Sequence, residues 1–407
     1  MPRTGPNVLL ANEAGAGRGH IAHLAHMVKH MGKDCTYFAG LYSATHAKDL
    51  HDLGVETFRI KGMGKIAAAM SNPELEGYGT WGDYLFSIGL ARENLVRRKL
   101  TEWIEQIKAR DISIVVAAYA PLAMLAARIV KEQGRDLALI GVSTGYGLPP
   151  ASLDSFPVLL PDLALSTRDE SDVLAMLNGV LADFRASPLP KIPALYEVDL
   201  AVPLCFSFLD PYRKWRKPED LVLPLVDVQP ELGQGGNEVF VYFSTKELNE
   251  PEIVQALCDL PLPRRGFFPA ANDAMKQRLA ASGVIVENGP VPIELLAARS
   301  ALFLNSVQGG VINMCSVLGR PQVGLPQHLE QTFNARRPAQ QGVMELLERP
   351  NRKAETIKNA VMRCYHSATM QARARAFSAD LLAQMANSGP SLGQRLAPFL
   401  GARRANI

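Results

Sequence analysis

The stretch VQGGVINMCSVLGRPQVGLPQHLEQTFN, residues 307–334, decides the fold of this chain. Gly309-Gly310 begins a short segment of helical character, where backbone N–H groups and the helix dipole favour a bound anion. After a Gly-x-Pro turn and an apolar run comes the pair Glu330-Gln331. A carboxylate beside an amide suits the hydroxyl groups of a sugar. A phosphate site followed by a sugar site predicts that the chain binds a nucleotide sugar.

The composition indicates a globular protein with two domains. At 407 residues the chain exceeds the usual size of a single core. Hydrophobic residues make up 47% of the chain and charged residues 20%, which argues against a disordered protein. The net charge of +3 is too small to indicate binding to nucleic acid. We therefore expect small-molecule rather than nucleic-acid partners.

Cysteine usage and hydropathy predict a cytoplasmic location. The five cysteines include no CxxC pair, which is typical of proteins whose thiols stay reduced. The N-terminus lacks the charged-then-apolar pattern of a signal peptide, and no apolar run reaches the roughly 18 residues of a membrane span. The basic run at residues 213–217 leaves open a peripheral contact with the inner face of a membrane.

Strand and helix signals alternate in two blocks, which predicts two doubly wound α/β domains. The first block opens with a strand at residues 7–11 (NVLLA), a glycine turn and a helix. The rhythm stops in a segment rich in proline and glycine and restarts at residue 238 with EVFVYF. We predict an N-terminal domain, a linker, a C-terminal domain and a C-terminal helix that packs on the N-terminal domain, at residues 1–215, 216–237, 238–385 and 386–407.

The glycine turn after the first strand carries Gly15, Gly17 and Gly19 and ends on His20. A dinucleotide site with the pattern GxGxxG would need glycine in place of His20, and no clear acidic residue ends the second strand to hold a ribose. The turn instead brings an imidazole to the start of a helix at the carboxyl edge of the sheet. Ligands of open α/β folds bind at that edge, so His20 is a candidate functional residue.

Three more histidines follow on the same helix: His23, His26 and His30. At about 100° per residue they lie on a polar face apart from the apolar one, so we expect them to contact solvent. His26 and His30 have the spacing of metal ligands, but no nearby acid or cysteine completes a set. We therefore predict neither a metal site nor a bound cofactor.

Four segments of the chain resemble the nucleotide-sugar-dependent glycosyltransferases of the GT-B fold. This group includes macrolide, plant natural-product and glucuronosyl transferases. The most specific segment is GRPQVGLPQHLEQTFNARRPAQQGV, which is similar to the family pattern GxPxxxxPxxxDQxxNAxxxxxxG. The four segments are residues 17–40, 239–245, 284–310 and 319–343. The resemblance implies two Rossmann-like, doubly wound domains that face each other across a cleft.

The resemblance also implies a reaction. A hexosyl group would pass from a nucleotide-diphosphate sugar, such as a UDP- or dTDP-sugar, to an acceptor hydroxyl, with inversion and without a metal ion. The sugar nucleotide would be a co-substrate, and His20 would be the general base. The predicted donor-binding residues are Ser244, Thr245, Val291, Gln308, Gly309, Gly310, Asn313, Glu330, Gln331 and Asn334.

The acceptor is expected to be a small molecule, a lipid or a glycan bound by the N-terminal domain. Aromatic residues and methionines in two stretches, residues 62–90 and 145–160, are suited to a hydrophobic acceptor but are equally compatible with ordinary core. From these stretches we predict contacts to the acceptor by Trp81, Tyr84 and Tyr146.

Glu330 stands where the family pattern has an aspartate, a change that many members also show. Two further positions depart from the pattern. Gln308 replaces a histidine that usually precedes the glycine pair, and an amide cannot carry a positive charge to the diphosphate. The segment ending in Tyr119 has no carboxylate where many members have the acid that orients the catalytic histidine. Two alternatives stay open. The first is a nucleotide-sugar epimerase or hydrolase, which would need a further acid in the site, and Glu13 is the acid nearest to the glycine turn. The second is a non-catalytic homologue that acts as a partner protein.

Overall fold

The computed structural model describes residues 5–15, 18–63, 79–163, 167–224, 226, 235–387 and 389–401. The chain divides into two compact units, one of Met1–Val222 with Gly389–Ile407 and the other of Leu223–Ser388. Part of the predicted linker, residues 225 and 227–234, lies outside the described residues. Among the residues that are described, no helix is long and apolar enough to cross a membrane.

The described part of the first unit contains a six-stranded, wholly parallel sheet in the order β3-β2-β1-β4-β5-β6. Its central strands are continuous apolar runs, such as IVVA in β4, because helices cover a parallel sheet on both faces. The strands β1 to β6 are Asn7–Asn12, Thr36–Leu41, Glu56–Arg59, Ile114–Ala117, Ala138–Ser143 and Leu200–Pro203.

Helices pack on both faces of this sheet and enclose two buried apolar clusters. The C-terminal helix Leu392–Gly401 belongs to this unit, and Leu392 and Leu396 lie in the same buried cluster as Ile21 and Leu24 of the first helix. In the described part of this unit the α-helices are Gly19–Met31, Lys48–His51, Trp81–Leu85, Glu93–Ala109, Pro121–Glu132, Glu170–Asp183 and Leu392–Gly401.

In the described residues, the second unit repeats the plan with a six-stranded parallel sheet in the order β12-β11-β10-β7-β8-β9. The strands β7 to β12 are Glu238–Tyr242, Arg264–Phe267, Val284–Glu287, Ser300–Asn305, Gln322–Gly324 and Met344–Leu346. The helices of this unit are Pro251–Asp259, Asp273–Ala281, Ile293–Arg299, Gly309–Val317, Leu329–Gln340, Ala354–His366 and Ala368–Ala386.

The predicted α/β class with two doubly wound domains is confirmed, although four short strands carry no clear signal in the sequence. One of them, β8, begins with Arg264 and Arg265, which hide its strand character. Arg265 forms an ion pair with Glu238 at 2.8 Å, and Arg264 donates to the Leu260 carbonyl oxygen at 2.6 Å. The other three, β3, β6 and β12, are strands of three or four residues that end their sheets.

Each sheet reverses its strand order at one point, between β1 and β4 in the first unit and between β7 and β10 in the second. At such a switch point the two following connections leave in opposite directions, and a crevice opens at the carboxyl ends of the strands. The turn to His20 follows β1, and Tyr119 follows β4. Ser244 follows β7, and Gln308 follows β10. The fold thus brings predicted site residues to both switch points.

Candidate functional site

The candidate phosphate site is the start of the helix Gly309–Val317, which follows β10. Gln308 precedes the helix in an extended conformation, with no side-chain cap on the first turn. The first N–H groups of a helix lack partners within it, so they face outward as donors. A side chain at Gly310 would meet no protein atom within 4 Å. The helix start therefore has room for an anion close to its backbone.

The connection before this helix is held in an uncommon backbone conformation. Val307 has a φ of 63°, in the left-handed region that a β-branched residue rarely adopts. Its N–H donates to the Oδ1 atom of Asn305 at 2.8 Å, and its side chain is fully buried. Its carbonyl oxygen accepts a hydrogen bond from the Nδ2 atom of Asn334 at 3.4 Å. Backbone strain of this kind tends to persist at functional sites, where the surroundings hold it in place.

A buried carboxylate joins the connections after β7 and β10. Glu247 is fully buried, and its Oε1 atom accepts hydrogen bonds from Ser306 Oγ at 2.6 Å and from Gln308 Nε2 at 3.3 Å. Its Oε2 atom accepts from the Thr245 N–H at 2.8 Å. The Nε2 atom of Gln308 also donates to Ser244 Oγ at 2.8 Å. Three predicted donor residues are thus brought together by an acid that the sequence analysis did not select.

The predicted sugar-binding pair lies in the first turn of the helix Leu329–Gln340. Glu330 is half-buried. Gln331 is buried, and its Oε1 atom accepts from the Gln327 N–H at 2.6 Å, which fixes the amide to the preceding loop. Burial lowers the pKa of His328, the residue before the helix, to about 4. The hydrogen bond from Asn334 to Val307 links this helix to the candidate phosphate site.

The remaining predicted donor residues have less defined roles. Asn313 is 4% exposed, and no described residue forms a hydrogen bond with its Oδ1 atom. Val291 is half-buried and packs, together with Val311, against the apolar cluster around Phe240 and Phe303. The Oδ1 atom of Asn313 therefore takes no part in the hydrogen-bond network that the described residues form around Glu247.

In the first unit, His20 lies in the first turn of the helix Gly19–Met31. Its ring packs on Tyr119, with 4.6 Å between the ring centroids and 31° between the planes. Its Nδ1 atom is buried and has no hydrogen-bond partner among the described residues, and burial lowers the pKa of the imidazole to about 4. Gly15 has a φ of 96°, and a methyl group there would overlap the Nε2 edge of the ring. The sequence and the fold together place a neutral imidazole at the switch point.

An aromatic cluster continues from this imidazole. Trp81 is 2% exposed, and its ring lies 5.2 Å from that of Tyr119 and 5.4 Å from that of Tyr84. Its Nε1 atom donates to the Tyr196 hydroxyl at 2.6 Å. Tyr146 meets Trp81 edge-on at 5.2 Å. Because Trp81 is buried while Tyr84 and Tyr146 are half-buried, the tyrosines present the accessible surface of the predicted acceptor site.

Comparisons with known proteins rest on structure alone, because no protein-family model and no curated protein sequence matches the chain. The calicheamicin glycosyltransferase matches with a TM-score of 0.66 at 15% identity, over 93% of this chain and 94% of that one. The glycosyltransferase of kitacinnamycin matches at 0.65 and 13% identity, over 98% and 99%. The glycosyltransferase VinC, solved with dTDP, matches at 0.62 and 14% identity, over 98% and 99%. The chain has the GT-B fold.

Within this GT-B fold, Glu13 follows β1 but faces the core. It is fully buried and accepts hydrogen bonds from Trp103 Nε1 and from the Leu122 N–H, the latter at 3.0 Å, at the start of the helix Pro121–Glu132. Burial raises the pKa of this carboxyl group to about 7, although Lys99 nearby opposes the shift. Through these contacts Glu13 holds the helix in place, so it is a weaker candidate for a catalytic acid.

The histidine-rich face of the first helix differs from the expectation of solvent contact. His30 is exposed, but His23 and His26 are partly covered. Burial lowers the pKa of His23 to about 3 and that of His26 to about 4. Among the described residues there is no cluster of three or more metal-ligating side chains. Gly17 of the glycine turn, and Met70 and Tyr78 in the stretch of residues 62–90, lie outside the described residues.

Proposed function

We propose that this protein transfers a hexosyl group from a nucleotide-diphosphate sugar to an acceptor hydroxyl, with inversion and without a metal ion. The observation that carries the proposal is the arrangement at the second switch point. There, the Gln308 amide is held against Ser244 at 2.8 Å, directly before a helix that begins with two glycines. The GT-B fold supports the same class of reaction, and the dTDP bound to VinC suggests the class of donor.

The leaving group of this reaction is a nucleotide diphosphate, on which negative charge grows as the glycosidic bond breaks. Preorganised backbone donors and the dipole at the start of the helix Gly309–Val317 would stabilise that charge. They can supply the role that a divalent cation has in other transferases. Gln308 contributes an amide rather than a cation, so the backbone donors carry more of the stabilisation.

The sugar would lie against the start of the helix Leu329–Gln340. The Glu330 carboxylate accepts hydrogen bonds from sugar hydroxyls, and Gln331 and Asn334 hold the adjoining loops in position. The acceptor would lie on the tyrosines near His20. His20 Nε2 takes the proton of the acceptor hydroxyl as its oxygen attacks the anomeric carbon from the side opposite the leaving phosphate.

Ligand titration tests the donor half of the proposal. We expect dTDP-glucose or UDP-glucose to raise the unfolding temperature of the wild type with increasing concentration. Glu330→Ala should weaken binding about tenfold or more, since the sugar loses a charged hydrogen-bond acceptor. Glu294→Ala, at an exposed position of the same unit, is the matched control. Equal binding by the wild type and Glu330→Ala would remove Glu330 from the sugar site.

Transfer assays test the catalytic half. His20→Ala should still bind the sugar nucleotide but lose transfer by about 100-fold or more, because a positioned base contributes that much. Full transfer by His20→Ala would contradict the role of His20. Turnover of the donor at the same rate with and without an acceptor would contradict transfer itself and favour hydrolysis or epimerisation.

A further inference from the structure

Tyr119 occupies a backbone conformation that its own side chain does not favour. Its φ is 56°, in the left-handed region, and the residue is an aromatic one rather than glycine or asparagine. Its carbonyl oxygen accepts a hydrogen bond from the Glu13 N–H at 3.4 Å, and its ring is surrounded by Trp81, Tyr84 and His20. Such a conformation persists only where the surroundings determine it, and here they turn the ring onto the imidazole.

The contact between Tyr119 and His20 fixes a ring plane but provides no charge. The rings lie 4.6 Å apart at 31°, which is within the range of favourable aromatic contacts. The Nδ1 atom of His20 is buried, and no group in the described part of the chain forms a hydrogen bond with it. In a base oriented by an acid, a carboxylate at this atom would fix the tautomer and stabilise the imidazolium. His20 is therefore held in place but not made more basic.

We propose that Tyr119 is a positioning residue that holds His20 by ring stacking in place of a carboxylate, and that the acceptor is accordingly a flat ring bearing an acidic hydroxyl, a phenol or an enol. This inference rests on the proposed function. It assigns a class of acceptor that the fold and its relatives leave open.

The strength of the base gives the chemical reason. Burial lowers the pKa of His20 to about 4, and general-base catalysis weakens as the pKa of the base falls. The hydroxyl of a phenol has a pKa of about 10, whereas that of water, which an aliphatic alcohol resembles, is about 16. A phenol therefore needs far less help from His20 to lose its proton.

The step balances with the groups already named. The phenolic oxygen forms a bond to the anomeric carbon while the bond from that carbon to the diphosphate oxygen breaks. The bonding electrons leave with the diphosphate, and the phenolic proton passes to Nε2 of His20 and then to solvent. Glycine at position 15 keeps a side chain off the Nε2 edge of the ring, where a methyl group would overlap the imidazole.

The surroundings of His20 suit a flat ring. Tyr84 and Tyr146 are both half-buried and pack on the buried Trp81, at 5.4 Å and 5.2 Å between ring centroids. Tyr84 also lies 5.9 Å from Tyr119, which connects this aromatic surface to the one that holds His20. Aromatic ligands gain offset or edge-to-face contacts on such surfaces, beyond the area they bury.

The first test needs no enzymatic activity. The ionisation of His20 is followed by NMR of its ring Cε1–H in the wild type, with His20→Gln to assign the signal. We expect the titration midpoint of His20 in Tyr119→Phe, which keeps the ring, to lie within about half a pH unit of the wild-type midpoint. Tyr119→Asp places a carboxylate beside His20 and should raise the midpoint by about one unit or more. Tyr119→Asn also tolerates the left-handed backbone but lacks charge, so it is the matched control for Tyr119→Asp.

A wild-type midpoint at or above the ordinary value of about 6.5, or equal midpoints in Tyr119→Asp and Tyr119→Asn, would overturn the positioning role of Tyr119. Thermal unfolding of each variant shows whether it is folded. If Tyr119→Asp does not fold, the other two variants decide. Tyr119→Asn, which lacks the ring, should shift the midpoint of the His20 titration, whereas Tyr119→Phe, which keeps the ring, should not.

The second test compares two acceptors that share a flat ring, 2-naphthol and 2-naphthalenemethanol, with dTDP-glucose and UDP-glucose as donors. We expect kcat/KM for 2-naphthol to exceed that for the alcohol by roughly 100-fold, the lower end of what a positioned base contributes. The ratio of kcat/KM for 2-naphthol to that for 2-naphthalenemethanol should be about tenfold smaller in Tyr119→Asp than in Tyr119→Asn.

Equal use of both acceptors, or a preference for aliphatic alcohols, would overturn the inference while leaving the proposed function intact. Absence of transfer to every acceptor would contradict the proposed function, and the titration of His20 would still decide the role of Tyr119.

Discussion

Ser306 and Glu247 form a hydrogen bond between the two connections that leave the sheet at the second switch point. The Ser306 hydroxyl donates to the Oε1 atom of Glu247 at 2.6 Å. Ser306 follows β10 and Glu247 follows β7, so the bond spans the crevice end of two neighbouring strands. The same carboxylate accepts hydrogen bonds from Gln308 and Thr245. A fully buried acid with three donors thereby sets the geometry of the candidate phosphate site.

Replacing Glu247 should disturb both stability and binding of the nucleotide. Glu247→Gln turns one acceptor oxygen into a donor that faces other donors, and an unmatched buried polar group costs about 1–3 kcal/mol. We expect a lower midpoint in chemical denaturation and weaker binding of dTDP by isothermal titration calorimetry. Glu294→Gln, at an exposed position of the same unit, should change the free energy of unfolding by no more than about 0.5 kcal/mol. A Glu247→Gln variant that matches this control would show that the network is dispensable.

Gly15→Ala tests the close approach of His20 to the glycine turn. The added methyl group would overlap the imidazole, and the φ of 96° disfavours any side chain. We expect a loss of about 1–3 kcal/mol in the free energy of unfolding and a fall in transfer of about 100-fold as the imidazole moves.

Gly19→Ala is the matched control for that substitution. A methyl group at Gly19 would meet no described atom within 4 Å outside its own helix, and the residue has helical conformation. It should therefore stabilise the helix by up to about 1 kcal/mol. If Gly15→Ala and Gly19→Ala have the same stability and the same transfer rate, the described packing of His20 on Gly15 is wrong.

Glu13 should make stability depend on pH. Burial raises the pKa of this carboxyl from 4.5 to about 7, so the folded state holds a proton that the unfolded state has already released. The stabilising contribution is complete below pH about 4.5 and is lost as the pH rises through about 7. Over that window the wild type should lose on the order of 3 kcal/mol relative to Glu13→Gln.

The difference in free energy of unfolding between the wild type and Glu13→Gln isolates this effect, because histidines contribute equally to both proteins. Chemical denaturation at pH 4.5, 6 and 8 measures it. A difference that stays constant, or that grows in favour of the wild type with rising pH, would show that Glu13 is ionised in the folded protein throughout.

Much of the fold followed from patterns in the sequence, because parallel strands buried on both faces are continuous apolar runs. NVLLA of β1 and IVVA of β4 show this directly. Strand β8 had no such signal, since Arg264 and Arg265 occupy it and are accommodated by partners distant in sequence. Propensity along the chain does not show which charges will find a buried partner.

The candidate site shows the same limit. The glycine pair and the acid-amide pair are visible as local patterns, and the fold brings Gln308 and Ser244 into hydrogen-bond contact. The roles of Glu247 and Tyr119 depend on strand order, which places residues from separate connections side by side. In the sequence alone, Glu247 resembles any exposed acidic residue of a loop. Its burial is apparent only once the connection after β10 is known to lie against it.

The most direct test of the account is a crystal structure of the protein with dTDP or UDP at saturating concentration. We predict that diphosphate oxygens lie within about 3 Å of the backbone N–H groups at Gly309 and Gly310, in hydrogen-bonding geometry. A nucleotide bound elsewhere on the chain, with the start of this helix unoccupied, would contradict the central claim.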